Sequence, residues 1–268
     1  MLRRSSTDFV EALARGLSII TAFSPTATAL SASEVAAATS LPRPTARRLL
    51  MTLEDLGYVR SRDGVYTLTT KVLELGTTYI ATLGIWELAR PHLEALVAQT
   101  GESSSMSQLD GSDIVYVARV PVPKIIALSV HIGTRFPAVA TSMGQVLLTA
   151  LDDDELKTMW ATPSRSGVLP RVVPSPDELE EDLAIVRERG WALSDERLSL
   201  GIRSIAAPVR DASGNIVAAM NVTVHAAETS VEELQRRHLP LLLDTAAKIT
   251  DEWSQLARLP VPDPLIRA

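Results

Sequence analysis

The chain of 268 residues is long enough for two domains of ordinary size, and its 46% hydrophobic and 22% charged content is typical of a globular protein. It contains no cysteine, which excludes disulfide bonds, thiolate metal sites and a cysteine nucleophile. No stretch reaches the roughly 20 apolar residues of a membrane helix, and charged side chains interrupt the apolar segment near the N-terminus. We therefore expect a cytoplasmic protein without a membrane span or a secretory signal.

The net charge of −6 is unevenly divided along the chain. Residues 1–70 contain eight arginines and six acidic residues, a net charge of +2, which leaves −8 for the remainder. Five of those arginines lie between Arg43 and Arg62. A sequence-specific DNA-binding protein tolerates this division, because a local basic patch contacts phosphates while an acidic body limits indiscriminate binding.

The first 70 residues predict three helices. Apolar residues at helical spacing predict a first amphipathic helix over about residues 8–23, and they are Phe9, Leu13, Leu17 and Ile20. A Ser-x-x-Glu capping box at residues 31–34 opens a short second helix that ends near residue 39. The third helix runs over about residues 44–56 and ends at Gly57; its expected buried stripe is Ala46, Leu49, Leu50, Leu53 and Leu56.

A hairpin follows these helices. Residues 58–60 and 65–68 alternate as strands, and Arg62, Asp63 and Gly64 between them are typical of a tight turn. Three helices and a two-stranded wing, in this order, predict a winged helix-turn-helix.

The arginines of the third helix and the wing are the candidates for contact with DNA. The first turns of a helix in the major groove face base edges and phosphates, and the wing can reach the flanking backbone. Two neighbouring arginines on a helix surface are more often simply solvated. Their position on the third helix of a winged helix-turn-helix favours contact with DNA instead. The predicted set is Arg43, Pro44, Thr45, Arg47 and Arg48 on the helix, with Arg60 and Arg62 on the wing.

The second half of the chain predicts an antiparallel sheet flanked by helices, an α+β domain. A bridging helix is expected over residues 70–83, and another begins near residue 85. The expected strands are residues 103–109, 113–120, 125–132, 191–195, 202–210 and 216–224. The expected helices are residues 142–150, 152–160, 176–189 and 231–256.

The sequence shows no organised catalytic or metal-binding motif. The acidic run that begins at Asp152 predicts a helix N-cap completed by Glu155 rather than a metal cluster. The four histidines lack ligand spacing, and no nucleophile elbow, dinucleotide fingerprint or phosphate-binding loop is present. We expect no catalytic residue, metal or cofactor, although a triad dispersed along the chain stays open.

With these elements placed, the chain resembles the IclR family of transcriptional regulators from about residue 9 to residue 256. The segments that carry the resemblance are residues 13–20, 41–50, 56–59, 66–68, 133–137, 140–144 and 201–209. The first of these and residues 140–144 resemble the branch that includes the PcaR and PobR regulators of aromatic-acid catabolism.

The resemblance implies a winged helix over residues 1–69, a linker helix over residues 70–84 and a GAF-like effector-binding domain over residues 85–260. It also implies an organic-acid effector and dimers formed through the N-terminal half. The implied effector residues are Ser142, Met143, Gly144, Asp195, Ser204, Asn221 and Thr223. Some family members carry an acidic residue in place of Ser194 and a cysteine in place of Ser204, and this departure is compatible with a different ligand.

We therefore expect a ligand-responsive regulator of the catabolism of aromatic or related organic acids. It would bind double-stranded operator DNA as a homodimer or a dimer of dimers. Two alternatives remain: an enzyme that converts a small acid and carries an accessory winged helix, and a GAF-type signalling module that does not touch DNA. The lack of an organised nucleophile argues against the enzyme, and the arginine-rich third helix argues against the signalling module.

Overall fold

The computed structural model describes residues 9–24, 26–75, 84–123 and 130–256. The chain divides into two compact units, residues 1–83 and residues 84–268. Most of the expected linker helix lies outside the described residues. Within the described part, no helix is long and apolar enough to cross a membrane.

The first unit is a winged helix-turn-helix, as the sequence predicts. Its helices are α1 (Glu11–Thr21), α2 (Ala32–Thr39) and α3 (Arg43–Asp55), and its strands are β1 (Ala29–Ser31), β2 (Val59–Arg62) and β3 (Val65–Leu68). The strands form an antiparallel sheet in the order β1-β3-β2. Sequence reasoning missed β1, because three residues are too few to show an alternating pattern.

Local side-chain chemistry sets the boundaries of this unit. The Ser31 hydroxyl accepts from the Glu34 backbone N–H while the Glu34 carboxylate accepts from the Ser31 N–H, so the predicted capping box is confirmed. Asp63 and Gly64 both have positive φ, 52° and 80°, as a two-residue hairpin turn requires. The wing therefore forms where the sequence places it.

The first helix presents a different face to the core from the one expected. Ile19 is fully buried, whereas Leu13 and Leu17 are 63% and 51% exposed. On a 3.6-residue period these two leucines lie well away from Ile19, so the expected stripe was wrong at both positions. In α3 the expected burial is confirmed for Ala46, Leu50 and Leu53. Leu56 is the C-cap residue of the helix and is exposed.

The second unit is built on a six-stranded antiparallel sheet in the order β6-β5-β4-β9-β8-β7. The strands are β4 (Ser103–Asp110), β5 (Asp113–Val120), β6 (Arg135–Pro137), β7 (Ala192–Asp195), β8 (Ile202–Arg210) and β9 (Ile216–His225). Most of the strand expected over residues 125–132 lies outside the described residues, and its described end, 130–132, is not a strand. The short edge strand β6 was not predicted.

Helices cover this sheet. They are α4 (Ile85–Thr100), α5 (Ser142–Leu148), α6 (Asp153–Ala161), α7 (Pro176–Arg189) and α8 (Val231–Glu233), followed by a π-helical turn (Leu234–His238) and α9 (Leu239–Leu256). Every residue of α5 is buried, against the strands and α7. Helices α4 and α9 pack on each other and on β5 and β8. Asp152 caps α6 with Glu155, as predicted.

Candidate functional site

The basic residues of α3 are exposed while its apolar residues are buried. Arg43, Arg47 and Arg48 are exposed, and no carboxylate of the described residues lies within 4.0 Å of their guanidinium groups. Pro44 is exposed and Thr45 is half-buried in the same first turns. These side chains remain available for base edges and phosphates.

The wing is tied to the third helix and carries two further arginines. The Glu54 carboxylate of α3 accepts a 2.8 Å hydrogen bond from the Ser61 backbone N–H in β2. Arg60 donates from Nε to Thr67 Oγ1 at 3.2 Å, and Arg62 is 3.9 Å from its neighbour Asp63 and almost fully exposed. The structure therefore presents all seven predicted DNA-binding residues within one compact unit.

A cavity in the second unit lies between the sheet and the segment that leads into α5. Its lining combines one guanidinium, several hydroxyl groups and apolar side chains. The described lining residues are Tyr116, Arg119, Val130, Phe136, Ala140, Thr141, Ser194, Leu198, Ile202, Ser204 and Thr223. Of the seven predicted effector residues, only Ser204 and Thr223 belong to this lining.

Strand register explains how these side chains meet. One row across β9, β8 and β7 pairs Thr223 with Ser204 and Ser204 with Ser194. The neighbouring row pairs Arg119 on β5 with Ser105 on β4, and Ser105 with Asn221 on β9. Residues two apart on a strand share a face, so the two rows form one polar surface.

Hydrogen bonds connect this polar surface. Ser204 and Ser142 share a hydroxyl–hydroxyl bond of 2.8 Å, and the Ser194 hydroxyl donates to the Ala140 carbonyl at 3.0 Å. Asn221 uses both ends of its amide: Oδ1 accepts from the Ser105 N–H at 3.1 Å, and Nδ2 donates to Thr223 Oγ1 at 3.0 Å. Asn221 is therefore a residue that orients Thr223, and Ser142 one that orients Ser204.

Arg119 is the charged residue of the described cavity lining, and sequence reasoning missed it. Its Nη1 donates to Ser105 Oγ at 3.0 Å, and no carboxylate of the described residues pairs with it. Burial lowers the pKa of Arg119, and the neighbouring Tyr116 opposes that shift. A β-bulge between Met106 and Ser107 explains the omission, because it brings Tyr116 and Arg119, three residues apart, to the same face.

Tyr116 stands beside Arg119 and is itself buried. Its ring meets the Phe136 ring edge to face, with centroids 5.6 Å apart. Burial raises the pKa of the Tyr116 hydroxyl to about 12. The hydroxyl therefore stays protonated at neutral pH.

The start of α5, where the resemblance implied the effector residues Ser142, Met143 and Gly144, is packed closely against the rest of the second unit. The Thr141 hydroxyl already accepts from the Gly144 N–H at 3.0 Å. Gly144 lies so close to the Ala138 backbone that a Cβ would overlap the Ala138 carbonyl. Met143 is buried, and its sulfur accepts from the Ser107 hydroxyl at 3.3 Å. Met143 and Gly144 pack this helix against the rest of the unit and do not line the cavity.

Asp195 also departs from the expectation. Its carboxylate accepts from Arg203 Nε at 2.7 Å, and the two residues are register partners on β7 and β8. Each alternates with a lining residue, Ser194 or Ser204, so both project from the opposite face of the sheet. Arg203 also donates to the Thr229 carbonyl at 2.6 Å. Asp195 is thus held in an ion pair away from the cavity.

A winged helix-turn-helix unit and a second α+β unit with a cavity lined by polar and apolar side chains together define a ligand-responsive DNA-binding transcriptional regulator. Residues 12–63 match the IclR helix-turn-helix domain, and residues 77–251 match the bacterial transcriptional regulator IclR C-terminal domain. The chain belongs to the IclR family of bacterial transcriptional regulators.

Two relatives support the branch that the sequence indicated. The chain is 38% identical over 237 residues to the Pca regulon regulatory protein of Pseudomonas putida, covering 88% of this chain and 81% of that protein. It is 33% identical over 248 residues to the p-hydroxybenzoate hydroxylase transcriptional activator of Acinetobacter baylyi, covering 90% and 91%.

Solved structures share the fold. A protein from Rhodococcus sp. RHA1 superposes with a TM-score of 0.80 at 46% identity, covering 92% of this chain and all of that one. A double mutant of the PobR inducer-binding domain from Acinetobacter, in complex with 3-hydroxybenzoic acid, has a TM-score of 0.55 at 32% identity, covering 62% and 97%. The expected fold class is confirmed.

Proposed function

We propose that this regulator responds to a small aromatic carboxylate, which it binds in the cavity of the second unit through Arg119. The observation that carries the proposal is a partly buried guanidinium in the cavity wall without a carboxylate partner among the described residues. Arginine binds carboxylates through two parallel N–H donors, and a partly desolvated site strengthens that bond.

The rest of the lining suits an aromatic ring. Phe136 and Leu198 are buried apolar side chains of the cavity wall, and Tyr116 contributes both an aromatic ring and a hydroxyl group. The P. putida and A. baylyi relatives are named for the Pca regulon and for p-hydroxybenzoate hydroxylase, and the PobR domain holds a hydroxybenzoic acid. These names support control of aromatic-acid catabolism by this chain.

Calorimetric titration of the full-length protein with 4-hydroxybenzoate, protocatechuate and β-ketoadipate tests this proposal. We expect saturable binding of at least one of the two aromatic acids and weaker binding of β-ketoadipate, which has no ring. Arg119→Met should weaken binding of the aromatic acid by about 2–4 kcal/mol, since a charged hydrogen-bonding partner is lost. Arg90→Met is the matched control, because Arg90 lies exposed on α4 and pairs with Glu94. Equal affinity in wild type and Arg119→Met would place the carboxylate elsewhere.

On the DNA side, we propose that α3 enters the major groove. Arg43, Pro44, Thr45, Arg47 and Arg48 would meet base edges or phosphates, while Arg60 and Arg62 would contact the backbone beside them. Their exposure within the family's helix-turn-helix domain supports this assignment.

We also propose a homodimer. One winged helix covers few base pairs, and two half-sites multiply the contacts. Val10, Leu13 and Leu17 leave an exposed apolar surface on α1, which we name the α1 apolar face. Packing this face against a second copy would remove it from water. Association of two dimers into a tetramer is the alternative that a mass measurement distinguishes.

We infer that the protein acts in the cytoplasm, where its DNA target lies.

We also infer that the bound acid is not chemically converted. A hydroxyl nucleophile needs an adjacent general base. In the described lining, Ser204 bonds to Ser142 and Ser194 to a carbonyl, and no histidine is present. No group of three His, Asp or Glu side chains in the described residues could hold a metal ion. Chromatography of each acid after prolonged incubation with the protein should recover it unchanged.

A further inference from the structure

The polar groups of the cavity are not equivalent, because the hydrogen bonds they already make decide what they can offer to a ligand. Thr223 Oγ1 accepts from Asn221 Nδ2, which leaves its own hydrogen to be donated. Arg119 uses one N–H toward Ser105 and has further N–H donors. Arg119 on β5 and Thr223 on β9, two strands apart in the sheet, therefore both present donors.

The other side of the cavity presents an acceptor. Ser194 lies in the same row as Thr223 but two strands further along the sheet, on β7, so Thr223 lies midway between Arg119 and Ser194. The backbones of Arg119 and Ser194 are four strands apart, roughly 19 Å at the usual strand spacing. The Arg119 side chain spans part of this distance, because its guanidinium reaches Ser105 on β4. The single hydrogen of the Ser194 hydroxyl is donated to the Ala140 carbonyl, so toward a ligand this oxygen offers lone pairs. Ser204, in the strand between them, is occupied with Ser142.

We infer that the cavity selects a monocarboxylate with a hydroxyl group at its opposite end, and that Ser194 reads that hydroxyl. The inference rests on the proposed function, in which Arg119 binds the carboxylate of the effector. A hydroxyl group has the hydrogen that the Ser194 oxygen can accept. A second carboxylate has no hydrogen and would be buried against lone pairs, and a bare ring would leave the Ser194 lone pairs without a donor.

Three benzoic acids that differ only in the group opposite the carboxylate test this inference by calorimetry on the full-length protein: 4-hydroxybenzoate, benzoate and terephthalate. Wild type should bind 4-hydroxybenzoate about tenfold more tightly than benzoate, as one good hydrogen bond allows, and terephthalate more weakly still. Ser194→Ala should bring the ratio of 4-hydroxybenzoate to benzoate affinity close to one, because it weakens 4-hydroxybenzoate binding while benzoate binding stays equal or becomes tighter. Ser194→Cys is the second variant, for the case in which Ser194→Ala does not fold. It keeps a side chain of similar size, but its sulfur is a poor acceptor, so it should change the affinity ratio in the same way.

Asp195→Asn is the matched control, because this neighbouring residue projects from the opposite face and should keep the wild-type ratio. Terephthalate or benzoate binding as tightly as 4-hydroxybenzoate overturns the inference, and so does a Ser194→Ala variant that weakens all three acids alike. Benzoate binding that depends on Arg119 but shows no preference would overturn the role of Ser194 and leave the proposed function standing. A failure of all three acids to bind would count against the proposed function itself.

Discussion

At the scale of single residues, Gly144 shows how a residue implied to bind the effector can serve packing instead. The nearest atoms to an added Cβ would all belong to the Ala138 backbone, which cannot turn aside as a flexible side chain can. We expect Gly144→Ala to destabilise the protein by about 1–3 kcal/mol through overpacking, measured by denaturant unfolding.

A control for this substitution lies in α1. Gly16 is helical and has no heavy atom within 4 Å of an added Cβ. Gly16→Ala should therefore leave stability unchanged or raise it by up to about 1 kcal/mol through helix propensity. Equal stability of wild type and Gly144→Ala would mean that α5 can move away from Ala138.

Arg47 and Arg62 should differ in what they contribute to DNA binding. If Arg47 reads a base, Arg47→Ala should weaken operator binding by about 1–3 kcal/mol and leave non-specific binding nearly unchanged. Arg62→Ala should weaken all sequences alike and reduce the salt dependence, as loss of a phosphate contact does. Gel shifts at several salt concentrations measure both effects.

The control for these two variants is Arg15→Ala, because Arg15 is already paired with Glu11 on α1. We expect its operator affinity to stay near that of wild type. Operator affinity that is unchanged in an Arg47→Ala, Arg48→Ala double variant would contradict the assignment of α3 as the reading helix.

At the scale of elements, an ion pair holds the connection between α6 and α7, which contains Arg165, against the sheet. Asp110 at the end of β4 pairs with Arg135 at 2.8 Å and with Arg165 at 2.7 Å. Burial would raise the pKa of Asp110, but the two arginines outweigh it and lower the pKa. A lowered folded-state pKa gives stability that is present above the unfolded pKa, about 3.9, and is lost as pH falls through the folded value.

The free energy of unfolding should therefore fall less between pH 7 and pH 3 in Asp110→Asn than in wild type. The difference should be small, since Asp110 and Arg165 are more than half exposed to screening solvent. Lys157→Gln, which removes an exposed pair with Asp154 instead, should retain the wild-type pH dependence. An identical acid response in wild type and Asp110→Asn would argue that these ion pairs contribute nothing measurable.

The α1 apolar face leads to a prediction about assembly. Leu17 is half-exposed in the single chain, so Leu17→Glu removes apolar surface from a dimer contact without opening the core. We expect light scattering to give twice the single-chain mass of 28.9 kDa for wild type and a shift toward the single-chain mass for the variant. Leu169→Glu, at a position 94% exposed in the second unit, should leave the mass unchanged. A wild-type monomer would contradict the dimer.

Elements with local signals could be predicted from the sequence, and elements without them could not. The capping box at Ser31 and the hairpin turn at Gly64 depend on residues a few positions apart, so the sequence carries them directly. The strands β1 and β6 have three residues each and form only because a longer strand lies beside them. The bulge that turns Arg119 into the cavity likewise depends on pairing between two strands, which a single strand does not encode.

At the scale of the whole molecule, the two units share one chain and one family, so effector and operator should influence each other. A ligand shifts operator affinity only by the difference in its affinity for the DNA-binding and non-binding states. Linkage then requires that the operator shift ligand affinity by the same factor. An operator for this measurement can be found by footprinting upstream of the protein's own gene and its neighbours.

We expect 4-hydroxybenzoate to change operator affinity by a factor of about 5–150, the usual range for a coupling free energy of 1–3 kcal/mol. Calorimetry of the operator-bound protein should return the same factor for ligand affinity. Arg119→Met should retain operator binding but lose its response to the acid, since the site of the carboxylate is gone while α3 is untouched. Operator affinity that is the same with and without saturating acid, in a protein that binds the acid, would show that the cavity does not control DNA binding.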